Sequence, residues 1–205
     1  MKLYYAPGAC SLAAHIALQE SGLRYQLERV DLREHKTSSG ADYYAINPKG
    51  YVPTLELDAG ERLTEAGVIL QYVADRNPGT LAPTFGSMAR YRLMEWLNFI
   101  ATEIHKGLAP LWKPTTPEPY KATLFAGVGA RFDYVVAELG AKPYLMGDTF
   151  TVADAYLFTI VNWRRFLAFD IDRWPALQQF EDRVASRPHV KKALEDEHLA
   201  PVAKV

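Results

Sequence analysis

From the N-terminus, short apolar runs alternate with stretches in which apolar residues recur every three or four positions, a rhythm that predicts a sheet carrying helices. Leu3-Tyr4-Tyr5 reads as a strand and Pro7-Gly8 turns the chain. Ser11 to Ser21 then reads as a helix with Ala13, Ile16 and Ala17 on one face and Gly22 at its end. Tyr25 to Val30 is a second strand and Arg33 to Gly40 a polar loop. Thr54 to Leu57 and Arg62-Leu63 form a hairpin around Asp58-Ala59-Gly60. Ile69, Tyr72 and Val73 place a helix over 65–76, which stops before Asn77-Pro78-Gly79.

Beyond this point the strand signal almost disappears. The prolines and glycines between Asn77 and Gly86 divide a first unit, residues 1–79, from a linker, 80–86, and an all-helical unit, 87–205. Leu93, Leu97, Ile100, Ile104 and Leu108 form one apolar stripe and predict a single long helix from Met88 to Leu108. On the same helix Glu95, Asn98, Thr102 and His105 form a polar stripe that faces a cleft or a partner. Pro110 to Pro119 interrupts the chain, and the spacing from Tyr120 to Leu139 predicts a second long helix. Thr151 caps the next helix, with Asp154 reaching back as a short-armed capping box, and two more helices are predicted near Pro175 to Ser186 and His189 to Glu195. The class is therefore α+β.

Composition narrows the function more than the fold. Of 205 residues, 49% are hydrophobic and 23% charged, as expected of a folding globular chain. Lys plus Arg (23) nearly balance Asp plus Glu (24) without a long block of either sign, which argues against nucleic acid or an anionic membrane as partner. The apolar run from Ala155 to Val161 falls far short of a bilayer span, and Pro7, Gly8 and His15 interrupt any signal-peptide core, so a cytoplasmic protein is expected. The single cysteine, Cys10, forms no internal disulfide, and with His15, His35 and His105 it shows no metal-ligand spacing, so no metal is expected.

Cys10 stands between a predicted strand and helix, near the positive end of a helix dipole, where a thiol pKa falls and a reactive thiolate is expected. The alternative is a buried structural cysteine. Pro7 stands where a second cysteine would make a dithiol, so any partner thiol comes from a small molecule. Pro53 precedes a strand, as a turn proline or as a cis proline that leaves neighbouring backbone free to pair with an extended ligand. Glu65 opens a helix whose free amides suit a carboxylate while its own side chain suits an ammonium; alternatively it only complements the helix dipole. His105 and Lys106 end the polar stripe, facing either a thiol or solvent.

In order along the chain, Met1-Lys2-Leu3-Tyr4-Tyr5, Pro7-Gly8-Ala9-Cys10-Ser11, Asn47-Pro48-Lys49-Gly50-Tyr51-Val52-Pro53 and Leu63-Thr64-Glu65 are followed by Glu95-Trp96-Leu97-Asn98, His105-Lys106-Gly107 and Phe150 to Tyr156. The whole chain thereby resembles the glutathione transferase family, and specifically its bacterial beta class. The resemblance implies a thioredoxin-like N-terminal domain, a mixed four-stranded sheet with three helices, that binds glutathione. It also implies an all-helical C-terminal domain that forms the co-substrate pocket, and a homodimer. Glutathione is then a co-substrate, with no permanently bound cofactor. Carried over by motif, Cys10 meets the glutathione sulfur and is able to form a mixed disulfide with it, and Val52 beside a cis Pro53 pairs with the cysteinyl backbone. Glu65 and the Ala66 backbone hold the γ-glutamyl end, His35, followed by Lys36, meets the glycine carboxylate, and Tyr51 stands beside the ligand. His105 and Lys106 reach the thiol region, with Asn98 a further contact, while Tyr5 and Trp163 belong to the pocket for a hydrophobic electrophile.

Cys10 and His105 are the expected catalytic residues. Three activities fit this pattern: conjugation of glutathione to hydrophobic electrophiles, thiol–disulfide reduction or reductive dehalogenation through a mixed disulfide, and non-catalytic ligand binding or regulation on the same fold.

Overall fold

In a computed structural model that describes residues 1–167 and 169–199, β1 (Lys2–Tyr5) is the central strand of a five-stranded sheet. It pairs in parallel with β2 (Gln26–Asp31) and antiparallel with β4 (Thr54–Glu56). The edges are β3 (Lys36–Thr37), antiparallel to β2, and β5 (Arg62–Thr64), antiparallel to β4. The four strands expected are joined by β3, a fifth inside the polar stretch, because two residues are too few to write an alternating pattern into the sequence.

Alternation along β1 sends its side chains to two cores. Leu3 and Tyr5 face α1 (Ser11–Ser21) and α2 (Ala66–Arg76), whereas Tyr4 packs with Ala6, Val30, Tyr43 and Val52 on the other side. Gly22 ends α1 with φ 67°, as its position predicts. A short 3-10 turn at Tyr43–Ala45 completes the sheet domain.

The helical part begins at α3 (Met88–Phe99), capped by the Ser87 hydroxyl, which accepts from the Arg90 amide at 3.1 Å. The rod expected to run to Leu108 as one α-helix does so in three pieces. Ile100–His105 is π-helical, and α4 (Lys106–Leu108) follows it. Its apolar stripe is nonetheless fully in the core, from Leu93 to Leu108. A 3-10 turn (Ala109–Trp112) leads to α5 (Glu118–Leu139).

All ten residues of α6 (Val152–Val161) are buried, so it is the axis of the helical part, and α1 packs on it from the sheet domain. Its start is fixed by Asp154, whose carboxylate accepts from the Thr151 amide and hydroxyl and from the Leu145 amide, each at 2.8 Å. The capping box read from the sequence is present, the Thr151 side chain taking the N3 amide while Asp154 reaches back to the Thr151 amide. The short α7 (Arg164–Leu167), absent from the sequence reading, precedes α8 (Pro175–Ala185) and α9 (Pro188–Asp196). Residues 168 and 200–205 of the expected C-terminal unit lie outside the described residues.

Arg90, buried at 2% exposure, joins α3 to α2 through a two-pronged pair with Asp75 at 2.8 and 3.0 Å. Arg187 does the same between the start of α9 and Glu20 of α1, at 2.6 and 2.8 Å.

Candidate active site

A cavity of about 580 Å³ lies between the sheet domain and the helices. One wall is the turn from β1 into α1, and it is bonded from several directions. The Ser11 hydroxyl accepts from the Ala6 amide and donates to the Ala6 carbonyl, each at 3.2 Å. The Gly8 amide donates to Glu197 Oε2 at 2.8 Å, and the Trp163 indole N–H donates to the Gly8 carbonyl at 2.9 Å. Gly8 has φ 70°, and a Cβ there would stand 2.8 Å from the Phe166 ring, so both conformation and space require glycine. Glu197 also meets His15 Nδ1 at 3.0 Å, both side chains being closed to solvent.

The Cys10 thiol donates to the Val52 carbonyl at 3.2 Å. That carbonyl is held by its neighbours: the Tyr43 hydroxyl and the Asn47 amide donate to the Tyr51 carbonyl at 2.9 and 2.7 Å, and the Val52–Pro53 bond is cis. The expected depression of the thiol pKa is reversed. Burial pushes Cys10 up to about 12, outweighing the backbone amides of Cys10 and Ser11 and the Lys106 charge, which act the other way. The Val52 carbonyl accepts the proton that burial keeps on the thiol. Iodoacetamide should therefore alkylate Cys10 of the free protein slowly at neutral pH, with a rate that keeps rising toward about pH 12 as the thiolate forms. A rate plateau below that of an ordinary cysteine would restore the thiolate.

A second corner of the cavity is the junction of β5 and α2. Glu65 holds φ 69°, a strained conformation of the kind retained at ligand-facing corners, and the first amides of α2 beside it precede any intrahelical acceptor. The Lys49 ammonium pairs with Glu65 Oε1 at 2.6 Å and with Thr64 Oγ1 at 3.1 Å.

The opposite wall comes from the helices. Ala101, His105 and Lys106 arrive on the π-helical segment and the residue after it, with Trp112, Tyr156, Trp163 and Phe166 around them. His105 Nδ1 meets the Tyr156 hydroxyl at 2.8 Å, and its ring stands edge-on to Trp163 with centroids 4.9 Å apart. Burial pulls the His105 pKa down to about 4, helped by Lys106 and opposed by Glu65, so the ring is neutral at pH 7. Trp112 and Phe166, each 45% exposed, and Tyr51, 70% exposed, give the mouth an aromatic rim.

Of the residues expected in the site, Cys10, Tyr51, Val52, Pro53, Glu65, Ala66, His105, Lys106 and Trp163 line this cavity. Three lie elsewhere. Tyr5 points from β1 into the core beside His15, with ring centroids 6.2 Å apart, because strand alternation turns it away from the cavity. His35, at φ 51°, folds back onto Tyr44 with centroids 4.3 Å apart, behind Gly50 and outside the cavity wall. Asn98 is exposed, its carbonyl accepts from the Thr102 hydroxyl at 3.0 Å, and its side chain has no hydrogen-bond partner among the described residues. The π turn between it and His105 breaks the spacing on which the polar stripe was drawn.

Lys49, Trp112 and Tyr156 were not read as site residues. Lys49 and Tyr156 sat inside quoted motifs without an assigned role, and Trp112 was hidden in a proline-rich break. Among the described residues, no group of three His, Cys, Asp or Glu could hold a metal ion, and no helix is long and apolar enough to cross a membrane.

Known proteins share this fold. Family models described as the glutathione S-transferase N-terminal and C-terminal domains match residues 1–75 and 99–188. The chain is 47% identical over 201 residues to glutathione S-transferase GstA of Escherichia coli O157:H7, covering 97% of this chain and all of the relative. Among solved structures, a ternary complex of BphK, a bacterial glutathione S-transferase, superposes with a TM-score of 0.95 at 49% identity, covering 97% of this chain and 100% of the other. A sphingomonad glutathione S-transferase complexed with glutathione gives a TM-score of 0.93 at 43% identity, covering 98% and 100%.

Proposed function

Because the chain belongs to the glutathione S-transferase family, we propose that it joins glutathione to hydrophobic electrophiles inside the cavity between its sheet and its helices. The observation that carries this reading is the convergence on one cavity of a free thiol, an acid-and-amide corner and an aromatic wall. Glutathione lies along the sheet-domain side. Its γ-glutamyl carboxylate takes the first amides of α2, and its ammonium displaces Lys49 from Glu65. Its cysteinyl backbone pairs with Val52, and its sulfur reaches Cys10.

A half-buried, protonated Cys10 suits a donor better than a nucleophile. By turning its S–H from the Val52 carbonyl to the glutathione sulfur, it holds that sulfur as a thiolate whose own proton has passed to water, with Lys106 adding positive charge nearby. The thiolate attacks carbon of an electrophile held against Trp112, Trp163 and Phe166, a carbon–sulfur bond forms, and the leaving group departs with its electron pair.

The test is the product made from glutathione and a chlorodinitrobenzene, read by mass spectrometry. The aryl thioether with one chloride released per adduct is expected. Oxidised glutathione in its place would assign the site to reduction through a Cys10 mixed disulfide, and bound glutathione with neither product would make the chain a ligand carrier. A reaction that consumes reduced glutathione fits a reducing compartment, and we place it in the cytoplasm. We propose a homodimer whose interface draws on exposed apolar side chains such as Phe85, 81% exposed, and Met88, 69% exposed.

A further inference from the structure

We propose that Tyr156 is a positioning residue that fixes His105 as the neutral tautomer with its proton on Nε2, so that the ring presents an N–H donor to the cavity. The inference rests on the transferase reading of the site for its consequence, but its geometry stands apart from it.

Tyr156 comes from the middle of α6, the most buried helix of the chain, and is itself only 2% exposed, so its hydroxyl has little freedom to search for other partners. That hydroxyl meets His105 Nδ1 at 2.8 Å and bonds to nothing else among the described residues. A phenol is a better hydrogen-bond acid than a neutral imidazole N–H, and an imidazole nitrogen a better base than a phenol oxygen. The bond therefore runs from O–H to Nδ1, and the ring proton is left on Nε2. Among the described residues Nε2 has no partner, and it is not sealed in, so it is the nitrogen open to the cavity. Trp163, edge-on at 4.9 Å, fixes the plane of the ring. The π-helical segment places the ring between these two aromatic side chains, since its wider turn swings His105 inward while Ile100 and Ile104 stay in the core.

The groups that face His105 are Lys106 on its own helix, Glu65 at the head of α2 and Tyr156 on α6. A cation beside it and a buried site both keep the ring uncharged. A neutral donor suits a thiolate or the developing charge on a leaving group without supplying a proton that would quench the nucleophile. Its strength then stays constant across the range in which an ordinary histidine titrates.

The experiment is nitrogen-15 NMR of the full-length protein labelled at histidine, with the His105 signals assigned by their loss in His105→Gln. A pyridine-type Nδ1 and a pyrrole-type Nε2, unchanged between about pH 6 and 8, are expected. In Tyr156→Phe, which keeps the ring but removes the hydroxyl, Nδ1 and Nε2 signals should average between tautomers, and kcat for conjugation should fall about 3- to 10-fold, the worth of one neutral hydrogen bond, with KM for glutathione unchanged. A pyrrole-type Nδ1 in the unaltered protein, or a Tyr156→Phe variant with an unchanged nitrogen pattern, would overturn the assignment. The spectra are recorded without glutathione, so they succeed or fail independently of the product assay that tests the transferase reading.

Discussion

Replacing Glu197 by alanine is expected to destabilise the folded protein by about 1–3 kcal/mol for each of the two buried donors it leaves without an acceptor. Glu197 is 1% exposed and spends both oxygens, one on His15 of α1 at 3.0 Å and one on the Gly8 amide at 2.8 Å. Alanine leaves a buried imidazole and a buried amide without their acceptor, and the loop that carries Cys10 loses the bond tying it to the chain's C-terminal segment. Glutamine retains one acceptor oxygen and should cost less. The sign of the pH dependence follows from burial, which raises the Glu197 pKa above 4.5 against the hydrogen bonds from His15 and Gly8. The folded chain then holds a proton on this carboxyl more readily than the unfolded chain does. The contribution is complete below the unfolded value and declines as pH rises through the folded one. Denaturant unfolding of the two variants at several pH values checks this. Equal stability of the alanine variant and the parent would remove Glu197 as the clamp on the turn.

The second large effect falls on ligand binding. Glu65→Ala should weaken glutathione binding by about 1.5–3 kcal/mol, the range for a hydrogen bond to a charged group, which calorimetry reads as roughly a 10- to 150-fold rise in Kd. The pair that Glu65 makes with Lys49 in the free protein does little to offset this loss. Both side chains are at least half exposed, at 50% and 67%, and an exposed ion pair is worth about 0–1 kcal/mol, so the ligand ammonium displaces Lys49 cheaply. An unchanged Kd would move the γ-glutamyl end away from the head of α2.

What could be read in advance was whatever the chain writes locally. The strand at Lys2–Tyr5, the αL glycine after α1, the apolar stripe from Leu93 to Leu108 and the Asp154 contact at the head of α6 are all set by residues a few positions apart. The motifs at Cys10, Val52–Pro53, Glu65 and His105 found the cavity for the same reason. Contacts that join distant positions left no such trace. Glu197 and Gly8 are 189 positions apart, and nothing near either one announces the other. Burial raises the Cys10 pKa, and the chain that covers the thiol includes Val52, 42 positions away, so the helix dipole set by adjacent residues points in the wrong direction. The π turn escaped because both the apolar and the polar positions across it keep α-helical spacing in the sequence. Tyr5 was lost to strand parity, where a shift of one residue exchanges core for cavity.

The claim on which the rest depends is where the tripeptide sits, and a crystal structure of the protein with glutathione bound measures it most directly. The glutathione sulfur is expected within hydrogen-bonding reach of Cys10 Sγ, the cysteinyl backbone on Val52, and the γ-glutamyl end at Glu65 and Ala66. Glutathione bound outside this cavity, or bound in it with its sulfur turned away from Cys10, would contradict it.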